Sequence, residues 1–501
     1  MKKFVIVGSG SAGLIAAGMI KKYWKDGVDI TVIHDKSQGS IAVGESTTPY
    51  IHAFLTFCGI SEKDLIRDLD VTIKLGINFK NWIPDTEYFH GFGQITGQNG
   101  WNKLRSSDPS ATYSILNDVY SGGSLYNEPM TKVPTTIFDN FSHALHIDTR
   151  QFTDYLYEKL NGDIKFVDDI VTRVRVNTEC TKIESVECKY NGIFDADYFI
   201  DASGFNTILF KHLNPKWNDM SKYLPIDRAI PQQVPYDFKD ELPSYTLAEA
   251  TDNGWIWRIP IGDRYGTGYL YSSKFTSDEE AREKYNDWLV ENFDTELTSD
   301  RIIKYRPGYY EDYWMGNCLA VGLSSGFVEP LESTGIHIII KQIQEFINYN
   351  YNLKNLEFNR KSANLINKNI YADVVNFVAL HYNTNRTDSE FWKHVKDNKP
   401  DWVKDIDEKI REGSVDASIY RNNPLSSLWT LDSYVQVTNG LKMISKESIQ
   451  NHLNSKPEGN GVFASGKQIL EVCKNMHDCE VSEKNNQIFV SHKGIIDSIH
   501  K

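Results

Sequence analysis

The run Phe4-Val5-Ile6-Val7 is short, apolar and rich in β-branched residues, and Gly8-Ser9-Gly10-Ser11-Ala12-Gly13 follows it directly. This is G-x-G-x-x-G set between a predicted strand and a small-residue helix over Ala12 to Lys22, and nothing else in the chain constrains its fold as strongly. The first glycine makes the tight turn, the second lets backbone approach a pyrophosphate, and the third lets helix and strand pack closely. The helix N-terminus then offers unpaired N–H groups and the positive end of its dipole. Residues 28–33 (VDITVI) predict a second strand. A β-α-β unit here implies a parallel, doubly wound sheet that holds a dinucleotide. The basic start Met1-Lys2-Lys3 and the apolar stretch after it imitate a secretory signal, but the cradle explains the three glycines better.

Further strands are expected at 164–176, 182–190, 196–200 and 318–322, all in the same sheet. Residues 80–140, rich in Gly, Asn, Ser and aromatics, predict an insertion on the substrate side. Residues 255–272 alternate like strands of a second sheet, and 336–415 carry a helical pattern. The expected organisation is a discontinuous cofactor domain (1–80, 141–210 and 305–345), a substrate-side sheet with insertions (81–140 and 211–304), a helical substrate region (346–445) and a C-terminal appendage (446–501) with no assigned role.

Composition removes several function classes. A formal net charge of −13 argues against nucleic acid, because phosphate contacts need clustered Lys and Arg. The six cysteines form no C-x-x-C pair and have no histidine at ligand spacing, so they read as reduced thiols of a cytoplasmic protein without a metal. No apolar run reaches membrane-spanning length. Aromatics reach 12%, which suits an aromatic-lined pocket or a large core equally.

Phe199-Ile200-Asp201-Ala202-Ser203-Gly204 ends a strand in D-x-S-G, as in FAD proteins of the aromatic hydroxylase type. The second strand should end in an acid for the ribose. Here His34 stands at that position, and Asp35 is next.

Four further segments resemble the flavin-dependent tryptophan halogenases. They are Val43-Gly44-Glu45-Ser46-Thr47, Trp255-Ile256-Trp257-Arg258-Ile259-Pro260, the stretch Gly322 to Ile336 containing Glu329-Pro330-Leu331-Glu332-Ser333-Thr334-Gly335, and Leu380-His381-Tyr382 with Arg386, Asp388, Phe391 and Trp392. The likeness covers roughly residues 1–440. It implies an α/β fold: a Rossmann-type FAD-binding domain, a second sheet and a mostly helical C-terminal substrate region. It also places Lys74, in Ile73-Lys74-Leu75-Gly76-Ile77-Asn78-Phe79-Lys80-Asn81-Trp82, at the family's catalytic lysine.

The resemblance implies a chemistry. FADH2 arrives from a separate NAD(P)H-dependent flavin reductase, and with O2 and a halide ion it yields hypohalous acid. That oxidant passes through the protein to Lys74, whose ammonium is a compact donor and loses its proton readily when buried. Glu332 is expected to stabilise positive charge on the ring, and Ser333 to fix the geometry. Thr334 and Gly335 are expected to hold the halide. Gly8, Gly10, Ser11, Ala12, Gly13, Asp35, Val43, Glu45, Ile170, Asp201, Leu323 and Ile336 are expected to bind FAD. His90, Phe92 and Trp429 are expected to line the substrate chamber, and Trp255 and Trp257, on one face of a strand, to screen the flavin from it.

The chain departs from the family in one place. Members that act on free tryptophan clamp it with a Tyr-Tyr pair and a Glu shortly before a Phe-Trp. Ser414 to Trp429 has neither the pair nor the Glu, and Leu428 replaces the Phe. A buried zwitterion needs partners for both charges. The expected substrate is therefore a small electron-rich aromatic, indole- or phenol-like, without the free amino-acid group, or one carried by something larger. Two alternatives stand beside this reading: a single-component FAD aromatic hydroxylase, and a degenerate flavin-binding carrier or sensor. Association into a homo-oligomer is left open.

Overall fold

A computed structural model of the chain describes residues 1–37, 44–92, 131–134, 137–138, 142–239, 241–412, 428–445 and 489–500. The strand Lys2–Val7 leads into the helix Ser11–Trp24 and on to the strand Val28–His34, as the glycine pattern demands. The two strands pair in parallel, Val7 opposite Ile33. They lie inside a six-stranded sheet in the order Trp314–Met315, Cys318–Ala320, Tyr198–Asp201, Lys2–Val7, Val28–His34, Lys165–Asp168. Only the first pair is antiparallel. Phe4, Val5, Ile6 and Val7 are all buried, as expected of a strand covered on both faces. The helices Ser11–Trp24 and Gly335–Asn350 share its core.

One expectation is corrected. Residues 171–176 and 182–190 do not enter this sheet. Val171–Val176, Ile183–Cys188 and Gly192–Asp195 form a separate antiparallel sheet. Arg173 and Arg175 are exposed there. A strand buried on both faces has no water for two guanidinium groups, so the arginines exclude the parallel sheet.

The second sheet has seven strands, in the order Ile303–Lys304, Arg228–Pro235, Arg264–Tyr271, Gly254–Ile261, Tyr245–Ala250, Gly76–Lys80, Glu87–Gly91. The long helix Glu357–His381 packs on it through Ile370, Phe377 and Leu380. Gly76–Lys80 is a strand of this sheet, whereas Thr72–Lys74 pairs with Ala144–Ile147 in a small three-stranded sheet that also includes Glu45–Ser46. Lys74 thus stands where the chain passes from one sheet to the next.

Part of the C-terminal appendage has a structural place. The strand Phe489–Ser491 pairs with Lys132–Pro134, and His492 is fully buried beneath it. The His492 Nε2 accepts the Ile73 amide at 2.9 Å, and its Nδ1 donates to the Leu242 carbonyl at 3.2 Å. Residues 489–500 therefore frame the strand that carries Lys74. Among the described residues no helix is long and apolar enough to cross a membrane.

Candidate active site

The glycine loop has the shape of a dinucleotide cradle. Gly8 has φ +110°, and a Cβ there would lie 2.2 Å from the Ala202 carbonyl oxygen. Above Gly10 the space is open, with nothing within 4 Å of a Cβ. Gly10 caps the helix without a side-chain hydrogen bond, so the first N–H groups remain free for an anion. Ser11 Oγ is buried with no hydrogen-bond partner among the described residues. These features fit the pyrophosphate of FAD. Gly10→Val, whose branched side chain would fill the open space, is expected to abolish FAD binding, measured by flavin fluorescence on titration; retained affinity would place the cradle elsewhere.

Ala12 packs beside Gly322, and Leu323 and Ile336 face the adjoining cavity. Ile170 is 39% exposed, just beyond the strand Lys165–Asp168. Asp35 turns its carboxylate to the backbone N–H and hydroxyl of Ser37. His34 Nδ1 lies 3.0 Å from Ser9 Oγ, and its buried Nε2 has no partner among the described residues. Asp201 requires a correction. Its carboxylate accepts from the backbone N–H groups of Ser203, Leu209 and Phe210 and the hydroxyls of Ser203 and Ser324, at 2.6 to 3.1 Å. A carboxylate offers about four lone-pair sites, so none is left for a cofactor. Asp201 instead holds the loop beside the cradle. Val43 lies outside the described residues.

Next to the cradle is a cavity of about 230 Å³ lined by Gly44, Glu45, Trp255, Trp257, Glu329, Ser333, Thr334 and Gly335, among others. Trp255 and Trp257 both face it, as their i, i+2 spacing predicts. Burial pushes the Glu45 carboxyl up to about 7 and that of Glu329 up to about 8, while Tyr382 donates to Glu329 at 2.9 Å. Thr334 and Gly335 form the N-terminus of the 16-residue helix Gly335–Asn350. The cavity therefore combines acids held near or above neutrality with a helix end that favours an anion.

Ser333 links this cavity to Lys74. It has φ +59°, the left-handed region that a serine enters only at a cost of about 1–3 kcal/mol. The turn is closed by Ser333 N–H to the Pro330 carbonyl at 3.0 Å. Lys74 Nζ donates to that Oγ at 3.0 Å and to the Thr47 carbonyl at 2.9 Å, and lies 5.0 Å from the centre of the Phe92 ring. The lysine is fully buried. Burial lowers its pKa to about 7, against the attraction of Glu332.

Glu332 is clamped. His90 Nδ1 lies 3.0 and 3.1 Å from its two oxygens, and His381 Nε2 lies 2.6 Å from Oε1. His381 Nδ1 donates to the Phe377 carbonyl at 3.1 Å. Burial alone would raise this carboxyl; the two imidazoles outweigh it and hold Glu332 at about 2. His90 was expected to line the substrate chamber. It is 1% exposed, with its Nδ1 committed to Glu332, so it supports the carboxylate. Phe92 lies under Lys74, and Trp429 stacks on Phe377 at 4.1 Å. His381 was not given a role from sequence, although Leu380-His381-Tyr382 marked it. Most of the stretch Ser414 to Trp429 lies outside the described residues.

The family model for tryptophan halogenase matches residues 3–456. The chain is 31% identical over 495 residues to tryptophan 7-halogenase RebH of Lentzea aerocolonigenes, covering 88% of this chain and 90% of RebH. It is 32% identical over 426 residues to tryptophan 6-halogenase SttH of Streptomyces toxytricini, covering 79% and 80%. The crystal structure of that 6-halogenase matches with a TM-score of 0.83 at 27% identity, over 100% of both chains. A nucleotide cradle, a cavity and a lysine held behind a serine thus stand in a chain that aligns with halogenases from end to end: it belongs to the flavin-dependent tryptophan halogenase family.

Proposed function

We propose that this enzyme takes FADH2 from a separate NAD(P)H-dependent reductase and, with O2 and halide, halogenates an electron-rich aromatic of the indole or phenol class. The observation that carries the reading is the buried amine of Lys74, hydrogen-bonded to Ser333, a residue that lines the cavity. Gly8, Gly10, Ser11, Ala12 and Gly13 would hold the pyrophosphate of FAD, Asp35 its ribose, and Glu45, Leu323 and Ile336 the flavin end. The bound reduced flavin supplies, with O2 and halide, hypohalous acid. All else falls to the chain.

Thr334 and Gly335 hold the halide at the helix end, where protonated Glu329 adds no repulsion. Trp255 and Trp257 wall off the cavity. Ser333 and the Thr47 carbonyl orient Lys74, whose Nζ exchanges a hydrogen for halogen and releases water. The aromatic carbon then takes the halogen from Nζ, and the proton that the ring gives up restores the Lys74 amine. Glu332, kept ionised by His90 and His381, offsets the positive charge that develops on the ring. Phe92 and Trp429 flank the substrate. RebH and SttH carry tryptophan in their names; here Ser414 to Trp429 lacks the residues that would pair with a free amino acid. That absence supports a substrate without the zwitterion.

The test is mass spectrometry of small indoles and phenols incubated with the protein, FAD, a flavin reductase, NADH and each halide in turn. A halide-dependent mass gain is expected. A gain of oxygen alone would indicate a hydroxylase. Halogen transfer through the neutral amine also has a pH signature. Below its pKa the lysine is an ammonium with no lone pair, so turnover is expected to rise as pH increases through about 7. A profile that falls across that range would assign the work to the ammonium.

A further inference from the structure

Away from the cavity, three side chains from distant parts of the chain converge. His52 lies on the helix Ile51–Cys58, Glu62 opens the helix Glu62–Asp68, and His143 precedes the strand Ala144–Ile147. One ligand atom of each lies within 4.8 Å of the others. His143 Nε2 is 2.6 Å from one oxygen of Glu62, and His52 Nδ1 is 3.8 Å from the other.

The second nitrogen of His52 decides what this arrangement can hold. Its Nε2 lies 3.1 Å from the His143 backbone carbonyl. A carbonyl only accepts, so Nε2 carries a proton, and in the neutral ring Nδ1, 3.8 Å from Glu62, keeps its lone pair. Lone pair and carboxylate then face one another across a gap too long for a hydrogen bond. A cation between them would turn this opposition into attraction. A ring N–H given to a backbone carbonyl is also the usual outer support of a histidine that binds metal through its other nitrogen.

We propose that His52, Glu62 and His143 bind a divalent transition-metal ion of the zinc type, at a site separate from the halogenation chemistry. Two imidazoles and a carboxylate are a set that zinc accepts, with a fourth position left for water. Bonds of about 2.0–2.1 Å in a tetrahedron space the donors about 3.3 Å apart. That spacing falls between the 2.6 and 3.8 Å found here. The side chains of His52 and Glu62 are 31% and 17% exposed, which leaves a hydrated ion a way in. The cluster of His90, Glu332 and His381 meets the same spacing but has no gap, since both oxygens are already hydrogen-bonded and the side chains are at most 2% exposed. An ion at His143 would tie both helices to the strand whose Ala144 pairs with Lys74.

The experiment uses the full chain stripped with EDTA, then titrated with Zn²⁺ and separately with Co²⁺. Metal content is read by elemental analysis after desalting, and Co²⁺ by its visible ligand-field bands. One ion per chain is expected, with no thiolate charge-transfer band and with a Tm that rises with Zn²⁺. His52→Gln and Glu62→Gln are expected to weaken binding by at least about tenfold, the loss seen even for outer-shell changes. His381→Asn is expected to bind the ion as the parent does. Circular dichroism and FAD binding establish that each variant is folded. No uptake by the parent chain, equal uptake by the His52 and Glu62 variants, or a thiolate band overturns the proposal.

Discussion

Lys74→Ala is expected to lower halogenated product by about a thousandfold or more, the scale on which loss of a reacting group acts, while FAD still binds. Among the described residues the amine is the only cation in contact with both Ser333 and the Thr47 carbonyl. Alanine also leaves a hole in a closed interior, so two further variants separate packing from chemistry. Lys74→Met keeps the volume and removes the nitrogen. Lys74→Arg keeps a charge that is never released. Both are expected to be as inactive as the alanine variant. Product formation measured by mass spectrometry at matched FAD occupancy decides the matter, and substantial turnover by Lys74→Met would remove the lysine from the mechanism.

Glu332→Gln is expected to reduce kcat by about 10²–10³-fold with little change in KM, because a preorganised charge acts on the transition state more than on the bound substrate. The amide keeps the shape and loses the charge. His381→Asn tests how that charge is maintained. Burial raises the Glu332 carboxyl, and His90 and His381 outweigh it. With one imidazole gone, its pKa moves up. A carboxylic acid is charged only above its pKa, so the variant loses activity at the acid end of the pH range first. A second loss of kcat, below the Lys74 limb near 7, is therefore expected in the variant as pH falls. An equal loss at every pH would leave His381 a purely structural part.

Legibility differed from residue to residue for physical reasons. The cradle was plain because G-x-G-x-x-G has one meaning between a strand and a helix. Lys74 was found through its sequence context, since a lone lysine is otherwise a surface charge. Its burial and its bond to Ser333, 259 positions away, belong to tertiary structure. His90 was read as a wall of the substrate chamber because nothing local says that its Nδ1 meets Glu332. His381 stands in a segment that resembles the family, and His492 in none, but the role of each lies at the far end of a long-range contact. The segments 164–176 and 182–190 read as strands of the parallel sheet from their β-branched residues, while the two arginines in Val171–Val176 place that strand in a separate sheet.

The stacking of Trp429 on Phe377, whose carbonyl takes the His381 proton, bears on how such an enzyme could be re-engineered. Under the proposed function, in which Trp429 flanks the substrate, a protein engineer would begin with this ring. Yet Phe377 also sets the imidazole that grips Glu332, so a library at Phe377 or Trp429 selects for rate and scope together. Chimeras that exchange the helix Glu357–His381 for a relative's would replace the ring that Trp429 stacks on and the hold on the carboxylate in one cut. Grafts that keep positions 377 and 381 and vary the remaining turns are the ones that would change selectivity without resetting the chemistry.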